Sequence, residues 1–198
     1  MSGFEIERKF LVKGDGFKQQ AESSSLIKQG YILSGGGRTV RVRVRDDRGY
    51  LTIKGPSKNG GLSRYEFEKE ITIDEAEHLM EICEPGVVEK RRYLVPFKGH
   101  VFEVDEFYGN NEGLVFAEVE LGDENEAFEK PDFIGPEVTG DRRFYNSYLR
   151  QRPYLLWRAT MPEEFRHQRQ ELLPPYWRRS PSSHHCDVHR CSMPAATL

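Results

Sequence analysis

Three cysteines, Cys83, Cys186 and Cys191, are too few and odd in number for a disulfide framework, and they fit a reducing compartment. No apolar run approaches the roughly 18–20 residues that a membrane span needs. The N-terminus is charged from Glu5 onward and does not read as a signal peptide. The expectation is therefore a cytoplasmic protein with no membrane partner. Basic residues number 29 against 32 acidic ones, a formal net charge of −3, so there is no overall basic excess pointing to nucleic acid. No Ser-His-Asp or Cys-His nucleophile set is evident: His78 and His100 stand alone, and Cys83 falls on the apolar face of a predicted helix as core. Gly35-Gly36-Gly37 is not a phosphate loop, because no Gly-Lys-Ser/Thr follows it and no helix begins there. These absences argue against secreted disulfide scaffolds, membrane-spanning proteins, P-loop enzymes and covalent hydrolases.

What the chain does contain is charge at a period of two. Glu5, Glu7 and Lys9 alternate with Phe4, Ile6 and Phe10, and Arg41, Arg43 and Arg45 alternate with Val40, Val42 and Val44. The pattern returns in Glu66/Glu68, Lys90/Arg92, Glu103/Asp105 and Glu118/Glu120. Alternate side chains of a strand share a face, so each set is a charged stripe. A solvated outer sheet face is the ordinary reading of one such strand. Across six strands it leaves like charges adjacent without purpose, a destabilising arrangement.

Strands are expected at 3–13, 27–33, 38–46, 50–55, 64–73, 87–97, 100–108 and 114–121. Helices are expected at 17–24, from Asp74 (as cap, with Glu77 three residues on) to about Pro85, at 123–130 and at 141–152. Eight short strands joined mostly by turns predict an α+β fold built on an eight-stranded antiparallel β-barrel with a few peripheral helices. Ionised faces on nearly every strand cannot be buried without partners. Either they point outward, or the barrel is a water-filled tunnel around a charged ligand.

The acidic pairs Glu5/Glu7 and Glu118/Glu120 suit a hard divalent cation such as Mg2+ or Mn2+ if the first and last strands meet. Lys9, Arg41, Arg43, Lys54, Lys90 and Arg92 are too many cations for one monophosphate and suit a ligand with several negative charges, such as a triphosphate.

These residues resemble the signature of the CYTH superfamily, the triphosphate tunnel metalloenzymes. The likeness runs from Glu5-x-Glu7-x-Lys9 through Gln29-Gly30-Tyr31, Arg41-x-Arg43, Leu51-Thr52-x-Lys54, Glu66-x-Glu68, Lys90-x-Arg92, Asp105 and Glu118-Val119-Glu120-Leu121. It ends at Val138-Thr139-Gly140-Asp141, Tyr145 and Asn146, covering about residues 3–153. The resemblance implies a tunnel with its charged faces inward and metal-dependent hydrolysis of a small-molecule triphosphate. Glu5, Glu7, Glu118 and Glu120 would hold the metal, with Asp105 nearby. Lys9, Arg41, Arg43, Lys54, Lys90 and Arg92 would line the triphosphate. Glu66 and Glu68 would sit near the attacked phosphorus, orienting water or a second metal. Lys9 and Tyr31 would form a proton-accepting pair, Lys9 having a pKa lowered by neighbouring cations; a phosphate clamp and a packed wall residue are the alternatives for the two.

Inorganic triphosphate is the expected substrate, since the chain shows no nucleoside-binding module. A class IV-type adenylate cyclase, a thiamine triphosphatase and a non-catalytic polyphosphate-binding module are the alternatives. The chain is expected to divide into a catalytic domain at 1–154 and a tail at 155–198. That tail is polar and interrupted by proline, and expected to be disordered or loosely docked. His184, His185, Cys186, His189 and Cys191 in the tail do not have a standard zinc spacing.

Overall fold

The computed structural model describes residues 2–58 and 63–167, with the side chains of residues 2–5 left out. The histidine and cysteine cluster and most of the expected tail lie outside the described residues. Nine strands are present among those described: β1 (Ser2–Val12), β2 (Ser23–Gly35), β3 (Arg38–Arg45), β4 (Arg48–Lys54), β5 (Ser63–Ile71), β6 (Val88–Phe97), β7 (His100–Phe107), β8 (Val115–Glu120) and β9 (Ile134–Glu137). Neighbours run β5-β4-β3-β2-β6-β7-β8-β1, and β1 returns to β5, so eight antiparallel strands close into a barrel. Closure works because β1 is shared. Its residues 2–6 pair with β5, and residues 7–11 pair with β8. The short strand β9, which the sequence did not suggest, adds to β1 beside Phe10 and Val12.

The alternation places the charged stripes inside and the apolar residues outside, so the hydrophobic core is largely external to the barrel wall. Phe10, Phe102, Val104, Ala117 and Val119 pack under Phe17, Phe128 and Phe133. Helix α1 (Phe17–Gln20) supplies Phe17; residues 21–24, expected to continue that helix, instead lead into β2. The expected helix at 123–130 is absent: the segment is irregular and presents Phe128 to Phe10 and Phe102. Acidic composition suited a helix, but packing of its one aromatic decided the path.

Helix α2 (Ile73–Glu81) lies on the outer face. Its cap is Thr72, not Asp74: the Thr72 hydroxyl accepts from the Glu75 amide, and the Glu75 carboxylate accepts from the Thr72 amide. Threonine in the extended conformation reaches the third amide, which satisfies two otherwise orphaned N–H groups. Close approach of α2 needs glycine beneath it. A Cβ on Gly49 would stand 2.8 Å from both the Ala76 Cβ and the Thr72 carbonyl oxygen. Gly49→Ala is expected to cost about 1–3 kcal/mol by overpacking, read as a lower urea midpoint. An unchanged midpoint would mean that α2 yields without loss.

One end of the barrel is filled. Val88 and Phe116 share the parity of the charged stripes, yet they pack with Phe107, Leu114, Phe144, Leu149 and Tyr154. The expected helix at 141–152 is a 3-10 turn at Arg142–Phe144 followed by α3 (Asn146–Gln151). The break at Tyr145 lets Phe144 and Leu149 both point into this plug. Beyond residue 154, Met161 and Phe165 are buried in the same cluster, and Phe165 stacks over Gly135 where any Cβ would collide. Phe165→Ala is expected to cost about 3–5 kcal/mol. A urea midpoint equal to that of the parent would mean that residues 155–167 only rest on the barrel. No helix among the described residues is long and apolar enough to cross a membrane.

Candidate active site

A cavity of about 250 Å³ occupies the lumen. Seven cationic side chains line it (Lys9, Arg41, Arg43, Arg45, Lys54, Arg64 and Arg92), together with six carboxylates (Glu7, Glu66, Glu68, Glu103, Glu118 and Glu120). Its remaining lining is Tyr31, Thr39, Tyr145, Asn146 and Ser147, with no aliphatic side chain or phenylalanine.

The charges are sorted by strand. On β1, β8 and β7, register sets Glu7 opposite Glu120, and Glu103 opposite Glu118. Like charges directly across a ladder repel, and here cations partly offset this. Glu118 accepts from Lys9 Nζ at 2.5 Å and from Arg92 Nη2 at 2.9 Å. Burial pushes the Glu118 pKa up, but Lys9 and Arg92 outweigh it and hold the carboxyl well below the usual range. Glu7 is approached by Arg64 at 3.2 Å and Lys9 at 3.6 Å.

The facing wall of β3, β4 and β5 is dominated by cations. Arg43 Nη2 donates to Glu68 at 2.8 Å, Arg41 Nη2 donates to Thr52 at 3.1 Å, and Lys54 pairs with Glu66 at 2.6 Å. Arg43 has its pKa lowered to about 10, by burial first and by the adjacent Arg41 guanidinium second. The Nε atoms of Arg41 and Arg43 are buried with no hydrogen-bond partner among the described residues. Two crowded guanidiniums with donors to spare have the chemistry to receive an anion.

Of the residues expected from sequence, Glu7, Lys9, Tyr31, Arg41, Arg43, Lys54, Glu66, Glu68, Arg92, Glu118 and Glu120 come together at this cavity. The Glu5 side chain lies outside the described residues. Two others stand behind the lining. Lys90 and Asp105 are fully buried and paired to each other, and Asp105 also takes Arg92 Nε and Nη2 at 2.7 Å each. Asp105 thus holds Arg92 in place and does not line the cavity as the other expected metal-ligand carboxylates with described side chains do. The expected lowering of Lys9 is also reversed. Burial pulls its pKa down, but Glu118 and Glu7 outweigh burial and raise it above that of an ordinary lysine. Lys90 is the lysine whose pKa is lowered, to about 8, by burial and by Arg92. Burial raises the pKa of Tyr31, so its hydroxyl stays protonated.

Arg45, Arg64, Glu103 and Ser147 line the cavity without having been singled out for it. Parity carries the signal for three of them: Arg64 shares a face with Glu66, Arg45 with Arg43 and Glu103 with Asp105. Ser147 arrives through the plug, whose docking no local pattern encodes. Among the described residues no three metal-ligating groups form a ready-made cluster. The donor chemistry nonetheless fits a hard divalent cation, since Glu7, Glu118 and Glu120 offer only carboxylate oxygens and their facing charges call for a neutralising ion. Asn146, in the same lining, adds a buried side-chain oxygen with no hydrogen-bond partner among the described residues.

A family model described as the CYTH domain matches residues 3–145. An inorganic triphosphatase of Acetivibrio thermocellus is 54% identical over 153 residues, covering 77% of this chain and 96% of that protein. An inorganic triphosphatase of Nitrosomonas europaea is 36% identical over 149 residues, covering 73% and 95%. Among solved structures, an inorganic triphosphatase superposes with a TM-score of 0.54 at 32% identity, over 74% of this chain and 93% of that one. A Pyrococcus horikoshii protein, at 24% identity and a TM-score of 0.51 over 61% and 80%, shares the fold.

Proposed function

This chain belongs to the CYTH domain family, and from that membership we propose that it hydrolyses inorganic triphosphate in the barrel lumen, with Mg2+ or Mn2+ as cofactor and the cytoplasm as its place of action. The observation that carries the reading is the sorted cavity. Cations dominate the wall of β3, β4 and β5, carboxylates dominate that of β1, β7 and β8, and among the described residues the lining has no aliphatic side chain to hold a nucleobase or a thiazole ring. This supports the inorganic chain over the cyclase and thiamine triphosphate alternatives. The carboxylate wall goes beyond what a polyphosphate-binding module needs.

Phosphoryl transfer asks mainly for positioning and charge neutralisation. Arg41, Arg43 and Lys54 would grip the phosphate chain from the basic wall, and Arg92, fixed by Asp105, would reach it from the other. Glu7, Glu118 and Glu120, with Glu5, would hold the cation, which when bound supplies charge neutralisation at the phosphoryl oxygens and activation of water. Lys9, held protonated between Glu7 and Glu118, would act as a clamp. Tyr31 would donate a hydrogen bond, and Glu66 and Glu68 would orient the attacking water. Phosphate and pyrophosphate release should be measured on triphosphate, ATP and thiamine triphosphate, each with Mg2+ and with Mn2+. Metal-dependent phosphate release, fastest on triphosphate, is expected. Pyrophosphate release from ATP with cyclic AMP formed would replace this reading with the cyclase.

A further inference from the structure

A second cavity, of about 370 Å³, adjoins the lumen and shares Thr39, Arg64, Tyr145 and Ser147 with it. Where the lumen mixes charges, this cavity does not. Arg38, Arg64 and Arg142 line it, and no carboxylate does among the described residues. Arg38 and Arg142 are exposed and have no ion-pair partner among those residues.

The glycine stretch that failed as a phosphate loop forms its rim. Gly36 and Gly37 turn the β2–β3 hairpin with φ of +58° and +76°, a conformation glycine adopts at low cost. Gly35 has no such φ, and no atom lies within 4 Å of where its Cβ would stand. Neither strain nor crowding requires glycine there.

We propose that this outer cavity is an accessory oxyanion subsite, which binds one phosphate group through Arg38 and Arg142 while the lumen holds the reacting triphosphate. Two guanidiniums facing a cavity without carboxylates match phosphate oxygens. Without acidic donors the subsite binds its phosphate without a metal of its own. The phosphate has two sources: the fourth unit of a longer linear chain, reaching out past Arg64, or free orthophosphate. Only the first source rests on the triphosphatase reading.

Arg38→Gln, Arg142→Gln and the double variant separate these cases. The hydrolysis arm compares triphosphate with linear tetraphosphate and with ATP, and the inhibition arm measures orthophosphate against triphosphate hydrolysis. Triphosphate kcat/KM should stay within about twofold of the parent. In the double variant, either tetraphosphate kcat/KM falls about tenfold, which assigns the chain, or the orthophosphate inhibition constant rises about tenfold, which assigns the free ion. Equal losses on triphosphate and tetraphosphate, or loss confined to ATP, would overturn the subsite. The amide resonances of Gly36 and Gly37, followed during orthophosphate titration of the full chain, test it without turnover. Shifts abolished in the double variant support the subsite. Their absence in the parent, with no effect on tetraphosphate, rejects it. A parent inactive on triphosphate would reject the proposed function instead, leaving the titration to decide the subsite.

Discussion

Glu118→Gln is expected to lower metal-dependent triphosphate hydrolysis by about 100-fold or more and to destabilise the protein as well. The activity loss follows from its proposed place among the metal ligands, since even groups that only support such ligands carry roughly 10–100-fold effects. The stability loss follows from its partners. Glu118 lies between Lys9, which is buried, and Arg92, whose side chain is 12% exposed. Glutamine keeps one acceptor oxygen but no charge, so both cations lose a counter-ion in a low-dielectric setting. Removing one member of a buried ion pair costs 3–5 kcal/mol. The low end, about 3 kcal/mol, applies here because Lys9 retains Glu7 and Arg92 retains Asp105. For a chain of this size that is a fall in Tm of about 6–12 °C. From charge alone, loss of one carboxylate from an acidic cluster would relieve repulsion. The counter-ions reverse that sign. Full activity with unchanged metal dependence would remove Glu118 from the ligand set, and an unchanged melt would show that the ion pairs contribute no net stability.

Arg41→Met is expected to separate function from stability. Triphosphate affinity should fall about 10- to 150-fold, the 1.5–3 kcal/mol of a charge-assisted contact. Fold stability should stay near that of the parent or rise, as when an apolar residue of similar volume replaces a member of a buried charge cluster whose other members keep their partners. The physical reason is the crowding of Arg41 against Arg43, whose pKa is lowered by burial first and by the Arg41 guanidinium second. The groups left behind keep partners: Glu68 retains Arg43, and the Thr52 hydroxyl retains Glu68. Methionine fills much of the space of the arginine stem. Calorimetric titration with a non-hydrolysed triphosphate analogue, alongside a thermal melt, reads both quantities. Parent-like affinity would mean that Arg41 does not touch the phosphate chain. A large loss of stability would mean that its bonds in the wall outweigh the repulsion.

Strand parity is a local property, and it was legible in the chain. Once Glu7 and Lys9 or Arg41 and Arg43 are placed two apart in extended segments, they share a face whatever the rest of the protein does. Eight such segments with apolar alternates were enough to argue for the barrel, and the ordered motifs from Glu5 to Asn146 for the family. Less local features were misread. The cap fell on Asp74 because Asp and Glu spacing fits a capping box in more than one register, and only the path of the chain selects Thr72 and Glu75. The strand at Ile134–Glu137 was missed because four residues holding a glycine and a proline carry almost no periodicity.

The sequence by itself determined which residues are charged on one face and, through that, a charged lumen able to receive a polyanion. The tertiary structure alone decided which charges meet. Closure of β1 onto both β5 and β8 sets Glu7 opposite Glu120 and brings Lys9 to Glu118, so Lys9 is held protonated where neighbouring cations in the sequence suggested a base. It withdraws Asp105 and Lys90 behind Arg92 and adds Arg64 to the lining. It fills one end of the lumen with Phe116, Phe144 and Leu149. Parity depends on neighbours in the chain, whereas register, closure and plugging depend on contacts between separate strands and helices, 57 positions apart for Arg64 and Glu7 and 109 for Lys9 and Glu118, and the electrostatics of each group follows from those contacts.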